Sequence, residues 1–320
     1  MRAAAAHAAR LYTLYAPGSA FKQAIIAGDG AFEALHRLDH VPIVSTHVGP
    51  RFAIHLPDMI QRALFFCGVW EPTISSWMRH RLGAGDVFVD VGGNIGYHSC
   101  LAAHCVGPSG RVVAMEPSPS IARQFAHNVS LNRYANVQLE HCAVSDHETT
   151  VQVMRGPPGA LGTTRTTETA SGDAEATVPA RPLGQIVEHD LLFGARMIKI
   201  DVEGAEEQVI NGVADELANF NERTEWIVEL SPGSKDDADA YVRRLLAPFD
   251  HAGYRAFAIE NRYDTLWYAQ DARRLSRAAP ESLLRALPAN LDAVEQIDVI
   301  LTRDPALCRG EFAPPQLPVA

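Results

Sequence analysis

From residue 87 onward the chain alternates short apolar runs with helical stretches, and that alternation constrains its fold more than any other feature. DVFVDVG, RVVAMEP, NVQLEHCAVSD, MIKIDVEG and WIVELSP read as strands, and YRAFAIE and QIDVILT extend the set to seven. IGYHSCLAAHCVG and SIARQFAHNVSLN, lying between the first three, carry helical spacing. Strands joined by helical crossovers predict βαβ units and an α/β fold with a doubly wound, mostly parallel seven-stranded sheet.

The 320 residues leave room for more than that sheet. Residues 1–80 read as an N-terminal extension or cap, residues 81–305 as the sheet domain, and residues 306–320 as a flexible, proline-rich tail. In the cap, VPIVSTHVGPRFAIHLP suggests two short strands around Gly49-Pro50, and DMIQRALFFCGVW reads as helical. TISSWMRHRL makes a further short helix with Pro72 at an early position, where its missing N–H is harmless. MRAAAAHAARLYTLYA is broken by His7, Arg10 and Tyr12, which fits an amphipathic helix better than a secretory signal. Two stretches interrupt the alternation. GPPGALGTTRTTETASGDAEAT (156–177) is expected to be a mobile loop. Residues 261–296 carry Tyr263, Trp267 and Tyr268, then the helical-looking ARRLSRAAPESLLRAL.

A net charge of -10 argues against a nucleic-acid partner, which needs clustered Lys and Arg. No run approaches the ~20 apolar residues of a membrane span. The five cysteines lack C-x-x-C spacing, so a reduced, cytoplasmic setting is expected. Homo-oligomerisation stays open.

Ligands of open parallel sheets bind outside the carboxyl ends of the strands. Asp90, Glu116, Asp146, Asp201 and Glu229 all fall at or just past such ends, so the rim is acidic. An acidic rim suits a pyrophosphate poorly. The turn after the first strand confirms the misfit: a G-x-G-x-x-G fingerprint starting at Gly92 would need glycine at Asn94 and Tyr97. The pattern present is D-x-G-x-N-x-G, and Asn tolerates left-handed backbone well. S-adenosylmethionine fits better. It has no phosphate, one carboxylate for a helix N-terminus, and cationic groups that acids stabilise. Glu116 ends the second strand, where an acid hydrogen-bonds ribose hydroxyls in nucleoside-binding folds.

Taken in order, FVDVGGNIGYHS, RVVAMEPSP, HCAVSD, MIKIDVEGAE and WIVEL resemble the FkbM-type family of S-adenosylmethionine-dependent methyltransferases. GVWEP (68–72) and IDVILT also match family positions, so the likeness spans roughly residues 65 to 303. It implies a class I, Rossmann-like methyltransferase fold and transfer of a methyl group to a hydroxyl, often of a sugar or a natural-product intermediate. It places Asp90, Gly92, Asn94, Gly96, Glu116, Ser145 and Asp146 around the cofactor, with Asp201 beside the sulfonium. Ser231, two residues past Glu229, stands where the family often has histidine. The implied partner is a small-molecule or saccharide acceptor with a free hydroxyl.

Three acids are candidates for activating that hydroxyl: Asp201, Glu203 and Glu229. Activation without a metal is favoured, because the sulfonium already offers these acids a cationic partner; the alternative is a magnesium ion held by Asp201 and Glu229, which would lower the acceptor's pKa. His98, Cys100, His104 and Cys105 mimic a zinc set, but at 100° per residue they cannot converge on one ion. His98 alone can face the cofactor, and His141 reads as a core residue. The aromatics of 261–268 either stack on substrate or cover the sheet edge. Two rival readings are a nicotinamide-dependent oxidoreductase, disfavoured by Asn94 and Tyr97, and a non-catalytic cofactor-binding assembly protein.

Overall fold

The computed structural model describes residues 10–14, 42–157, 159–169, 173–292 and 294–308. Most of the expected N-terminal amphipathic helix, and the tail from 309, lie outside the described residues. The cap opens with a small antiparallel pair, β1 (Ile43–Ser45) and β2 (Arg51–Ala53). Helix α1 (Met59–Cys67) follows, started by the Asp58 carboxylate accepting from the Gln61 amide and stopped by left-handed Gly68. Helix α2 (Pro72–Arg81) begins on Pro72.

The sheet domain then runs β3 (Val87–Val91), α3 (Tyr97–Val106), β4 (Arg111–Met115), α4 (Pro119–Asn132) and β5 (Val137–Glu140). Four further strands, β6 (Ala143–Val144), β7 (Thr149–Met154), β8 (Arg165–Thr167) and β9 (Ala176–Arg181), form a separate sheet in the order β6-β9-β7-β8. The chain returns through β10 (Met197–Ile200), α5 (Glu206–Asn211), β11 (Glu225–Leu230), α6 (Ala238–His251) and β12 (Arg255–Ile259). Helix α7 (Thr265–Leu275), β13 (Leu284–Arg285) and β14 (Ile297–Thr302) complete it.

The main sheet has the order β13-β12-β14-β11-β10-β3-β4-β5, with β5 to β11 parallel and the last three antiparallel. All seven expected strands are present, and the two-residue β13 makes an eighth. The expected third strand divides at His141, its second half entering the small sheet. Residues 156–177 are not a simple loop. Their described part contributes β8 and the start of β9, because Thr-rich alternation satisfies β pairing without an apolar signature. His141 is exposed rather than buried.

Strands β10, β11 and β14 are buried at every position, as expected of strands covered on both faces. One face, including Phe88, Val112, Met197, Ile227 and Ile300, packs with Phe52, Leu64, Trp77, Leu101 and Trp267 in a single apolar core. Cap helices and sheet therefore share that core. The other face packs Val89, Val113, Ile198, Trp226 and Val228 against α6 through Tyr241, Leu245 and Phe249.

Asn128 ties the cap to the first strand-end loop. Its side chain, fully buried, accepts from the Ala53 amide at 3.0 Å and donates to the Ile95 carbonyl at 2.8 Å. Asn128→Ala leaves both backbone groups without those partners. Stability should fall by about 1–3 kcal/mol, seen as a lower urea midpoint at unchanged slope.

Candidate active site

Between β3 and β10 the chain reverses the side on which it adds strands, and a crevice opens there at the strand carboxyl ends. It holds a cavity of about 290 Å³. Val91, Gly92 and Asn94 line it from the β3 end, Met115 and Glu116 from β4, Asp201, Val202 and Glu203 from β10, and Glu229 from β11. Trp70 and Glu71 arrive from the cap, Leu161 to Thr164 from the small sheet's loop, and Tyr263 from the segment before α7. The stretch expected to be a mobile loop thus forms one wall. It is docked on α1, where Asp58 accepts from the Leu161 amide at 3.0 Å.

Four described non-glycine residues have positive φ, and Glu71, Asn94 and Glu203 of that set line this cavity. Left-handed backbone at such residues costs energy, and its concentration here marks a functional site. Gly92, at φ 90°, is another constraint: a Cβ there would lie 1.8 Å from the Asp201 carbonyl oxygen.

The cavity has two chemically different ends. At one end, Glu116 accepts from the Asn94 amide at 2.9 Å and from the Ser118 amide at 2.8 Å. Burial pushes its carboxyl up to about 7, against the pull of those two bonds. The opposite end gathers Glu71, Asp201 and Glu229, each offering an oxygen within 4.8 Å of the others. The Tyr263 hydroxyl reaches Glu71 Oε1 at 2.9 Å and Glu229 Oε2 at 2.7 Å. Lys199 Nζ, buried in β10, contacts Asp201 Oδ2 at 2.5 Å. Burial opposes the charge of Lys199, yet Asp201, Glu71, Asp90 and Glu229 hold its pKa above the ordinary value. Burial raises Glu71 to about 8, Lys199 opposing, and carries Glu229 well above the carboxylate range with help from Asp201 and Asp298. Burial and then the charges of Asp201 and Glu206 push Glu203, also in the lining, up to about 7.

Of the residues singled out in the sequence, Gly92, Asn94, Glu116, Asp201, Glu203 and Glu229 meet around one cavity. Four others do not line it. Asp90 is buried inside β3, where it accepts from the Ser99 hydroxyl at 2.5 Å. Gly96 is the left-handed N-cap of α3. Ser145 is buried, its amide on the Arg181 carbonyl, and Asp146 faces solvent against His147 because the strand bearing it turns away into the small sheet. Trp267 is also a core residue, whereas Tyr263 is in the wall. Sequence reasoning missed Glu71 as a site acid. Its signal was the GVWEP stretch of the cap, which matches family positions without saying that its carboxylate enters the site.

The group named in the sequence reading, S-adenosylmethionine, fits this cavity. Gly92 lets the β3 and β10 ends approach closely at the crevice, Glu116 presents a buried carboxylate, and the lining by Val91, Met115, Ile121 and Val144 is apolar enough for a purine. No described helix is long and apolar enough to cross a membrane.

The Methyltransferase FkbM domain model matches residues 90–256. The chain is 24% identical over 170 residues to Methyltransferase 1 of Beauveria bassiana, covering 48% of this chain and 67% of that protein. It is 26% identical over 136 residues to the hexuronic acid methyltransferase AglP of Haloferax volcanii, covering 42% of this chain and 53% of that one. Among solved structures it is similar to Methyltransferase FkbM from Methylobacillus flagellatus KT, at 18% identity and a TM-score of 0.39, over 58% of this chain and 42% of that one. The chain therefore spans about half the length of AglP and less than half of that structure.

Proposed function

This chain belongs to the FkbM methyltransferase family and is S-adenosylmethionine-dependent, and from that premise we propose that it methylates a hydroxyl oxygen of a sugar or natural-product intermediate. One observation carries the reading: Glu71, Asp201 and Glu229 gather their carboxylates in one cluster, and Glu203, two residues on from Asp201, lines the same cavity. A hydroxyl is a weak nucleophile until its proton is taken, and buried acids whose pKa is raised are suited to take it near neutral pH. Carboxylates and a phenol also hydrogen-bond a neutral polyol, while they repel phosphate. The acceptor is accordingly a small hydroxylated molecule rather than a nucleic acid, consistent with the net charge of -10. A hexuronic acid methyltransferase among the relatives is compatible with this class.

Glu116, Gly92 and Asn94 would hold the nucleoside end of the cofactor, with Asp201 toward its methionine end. Asp90 and Gly96 shape that loop from behind. Bound S-adenosylmethionine supplies an electrophilic methyl group. The protein's own tasks are to align the acceptor and to receive its proton. Glu203 receives the proton, Glu229 with Tyr263 fixes the hydroxyl, and Asp201 keeps Lys199 in place. We take residues 81–305 as the methyltransferase unit and 1–80 as a cap that lends Glu71 to the acceptor side.

The test is incubation with methyl-labelled cofactor and a panel of hydroxylated acceptors, uronic acids included, with NMR location of the label. An O-methyl product is expected. Label found only on nitrogen or carbon would overturn the proposal. Glu116→Gln should weaken cofactor binding by about 1.5–3 kcal/mol, the scale of one charge-assisted bond, as read by calorimetry. Unchanged affinity in the folded variant would remove Glu116 from the cofactor site.

A further inference from the structure

We propose that a second cavity, a basic groove where β2, α4 and the end of β7 meet, anchors a phosphoryl group of the acceptor, so that the molecule methylated is a small organic phosphate such as a phosphorylated sugar. The groove has a volume of about 580 Å³, against about 290 Å³ for the active cavity. Arg123 and His127, four residues apart on α4, enter its lining from one side. Arg155, just past β7, and His55, just past β2, enter from the others.

In a chain of net charge -10, four basic side chains around one concavity stand apart from their surroundings. All four are exposed, and among the described residues none has a side-chain hydrogen bond or an ion pair. The acids nearby are already engaged. Asp58, the one acid in the lining, is buried, with Oδ1 accepting from the Gln61 amide at 3.1 Å and Oδ2 from the Leu161 amide at 3.0 Å. Glu175, which feels the charge of Arg155, accepts from the Ser118 hydroxyl at 2.7 Å and the Ser120 amide at 2.9 Å. A concave surface lined by one sign of charge concentrates ligands of the other sign.

Two guanidinium forks from different elements suit a phosphoryl group, whose several oxygens take paired N–H bonds from more than one side. The groove also has room and surface for an organic body. Ile43, 55% exposed, and Pro57 give it an apolar flank. S-adenosylmethionine carries no phosphate, so this is no part of the cofactor's own site. The acceptor is the fitting source. Glu71, Asp201 and Glu229 would repel an anionic group inside the active cavity, so the charge of an anionic acceptor has to be met outside it. Asp58 and Leu161 line both the groove and the active cavity, which puts the two side by side. The identity of the ligand as acceptor rests on the methyl-transfer reading; the binding of a phosphoryl group does not.

The experiment is calorimetric titration of the full chain with inorganic pyrophosphate at low salt, where exposed charges are least screened. One pyrophosphate per chain is expected. Arg123→Gln and Arg155→Gln should each weaken binding roughly tenfold or more, the scale of one lost charge-assisted bond. Both side chains are exposed, so the variants should fold. Arg243→Gln, which removes an exposed charge paired with Asp239 on α6, should leave binding unchanged. Wild-type protein that takes up no pyrophosphate at millimolar concentration overturns the proposal. So does an equal loss in Arg243→Gln, the mark of diffuse attraction. In the methyl-transfer assay, pyrophosphate should raise the KM for the acceptor and leave kcat unchanged; a lowered kcat at unchanged KM overturns the assignment to the acceptor. The two ideas fail separately: absent methyl transfer with intact pyrophosphate binding counts against the proposed reaction, and absent pyrophosphate binding with intact methyl transfer counts against this groove.

Discussion

Glu203→Gln is expected to lower kcat by about 10²–10⁴-fold while leaving S-adenosylmethionine affinity nearly unchanged, because it removes a general base and little else. The loss corresponds to about 3–5 kcal/mol of transition-state stabilisation. Glu203 lines the cavity, half-buried, on a left-handed backbone that few residues adopt without compensation. Its carboxyl is raised to about 7 by burial, then by Asp201 and Glu206. A base works only when deprotonated, so the wild-type rate should fall as pH drops below about 7. Glutamine has the same shape and cannot take a proton, so that acid limb should vanish in the variant. Steady-state rates across pH, with cofactor affinity measured alongside, decide the matter. Near-normal kcat in the variant, or an unchanged acid limb, would falsify the role.

The parts of this molecule legible in its sequence are those governed by short-range periodicity. Runs such as WIVEL and MIKI are apolar throughout because both faces of their strands are covered, and they announce a parallel sheet directly. Asn94 in place of glycine was readable as a turn residue, and it adopts φ 47°. What escaped depends on long-range contacts. Glu71 reaches Glu229 and Asp201 only once the cap helices join the sheet's core, and nothing local marks it as a partner of either. The small sheet escaped for a different reason. Its strands TTVQVM, RTT and ATVPAR are short, carry threonines and few large apolar residues, a composition shared with loops, and only pairing decides between the two. Asp146 looked like a fifth rim acid, but the strand carrying it leaves the main sheet at His141. Nothing in the spacing of HCAVSD foretells that departure.

Unfolding in urea should show stability falling as pH rises from about 6.5 to 8, by on the order of 2–4 kcal/mol. The sign follows from proton counts. Glu71 is raised to about 8, Glu116 and Glu203 to about 7, and Glu229 well above the ordinary range, all chiefly by burial. In the unfolded chain these groups ionise near pH 4.3. A raised carboxyl therefore contributes stability fully present below that value and lost as pH climbs through the folded pKa. Below about 6.5 the trend is masked. His47, lowered by burial to about 4, and His98, lowered further, bind protons only when unfolded and so push the slope the other way. Above their ordinary pKa both histidines are neutral in either state, and the acids set the trend, with the same sign as exposed His147, raised by its hydrogen bond to Asp146. Glu71→Gln removes one of the titrating groups at no cost in shape. It should raise the urea midpoint at pH 8 relative to wild type while impairing the site, the exchange of stability for function expected where like charges are held together. A midpoint that stays level or climbs between pH 6.5 and 8 would mean that the buried acids carry no protons in that range.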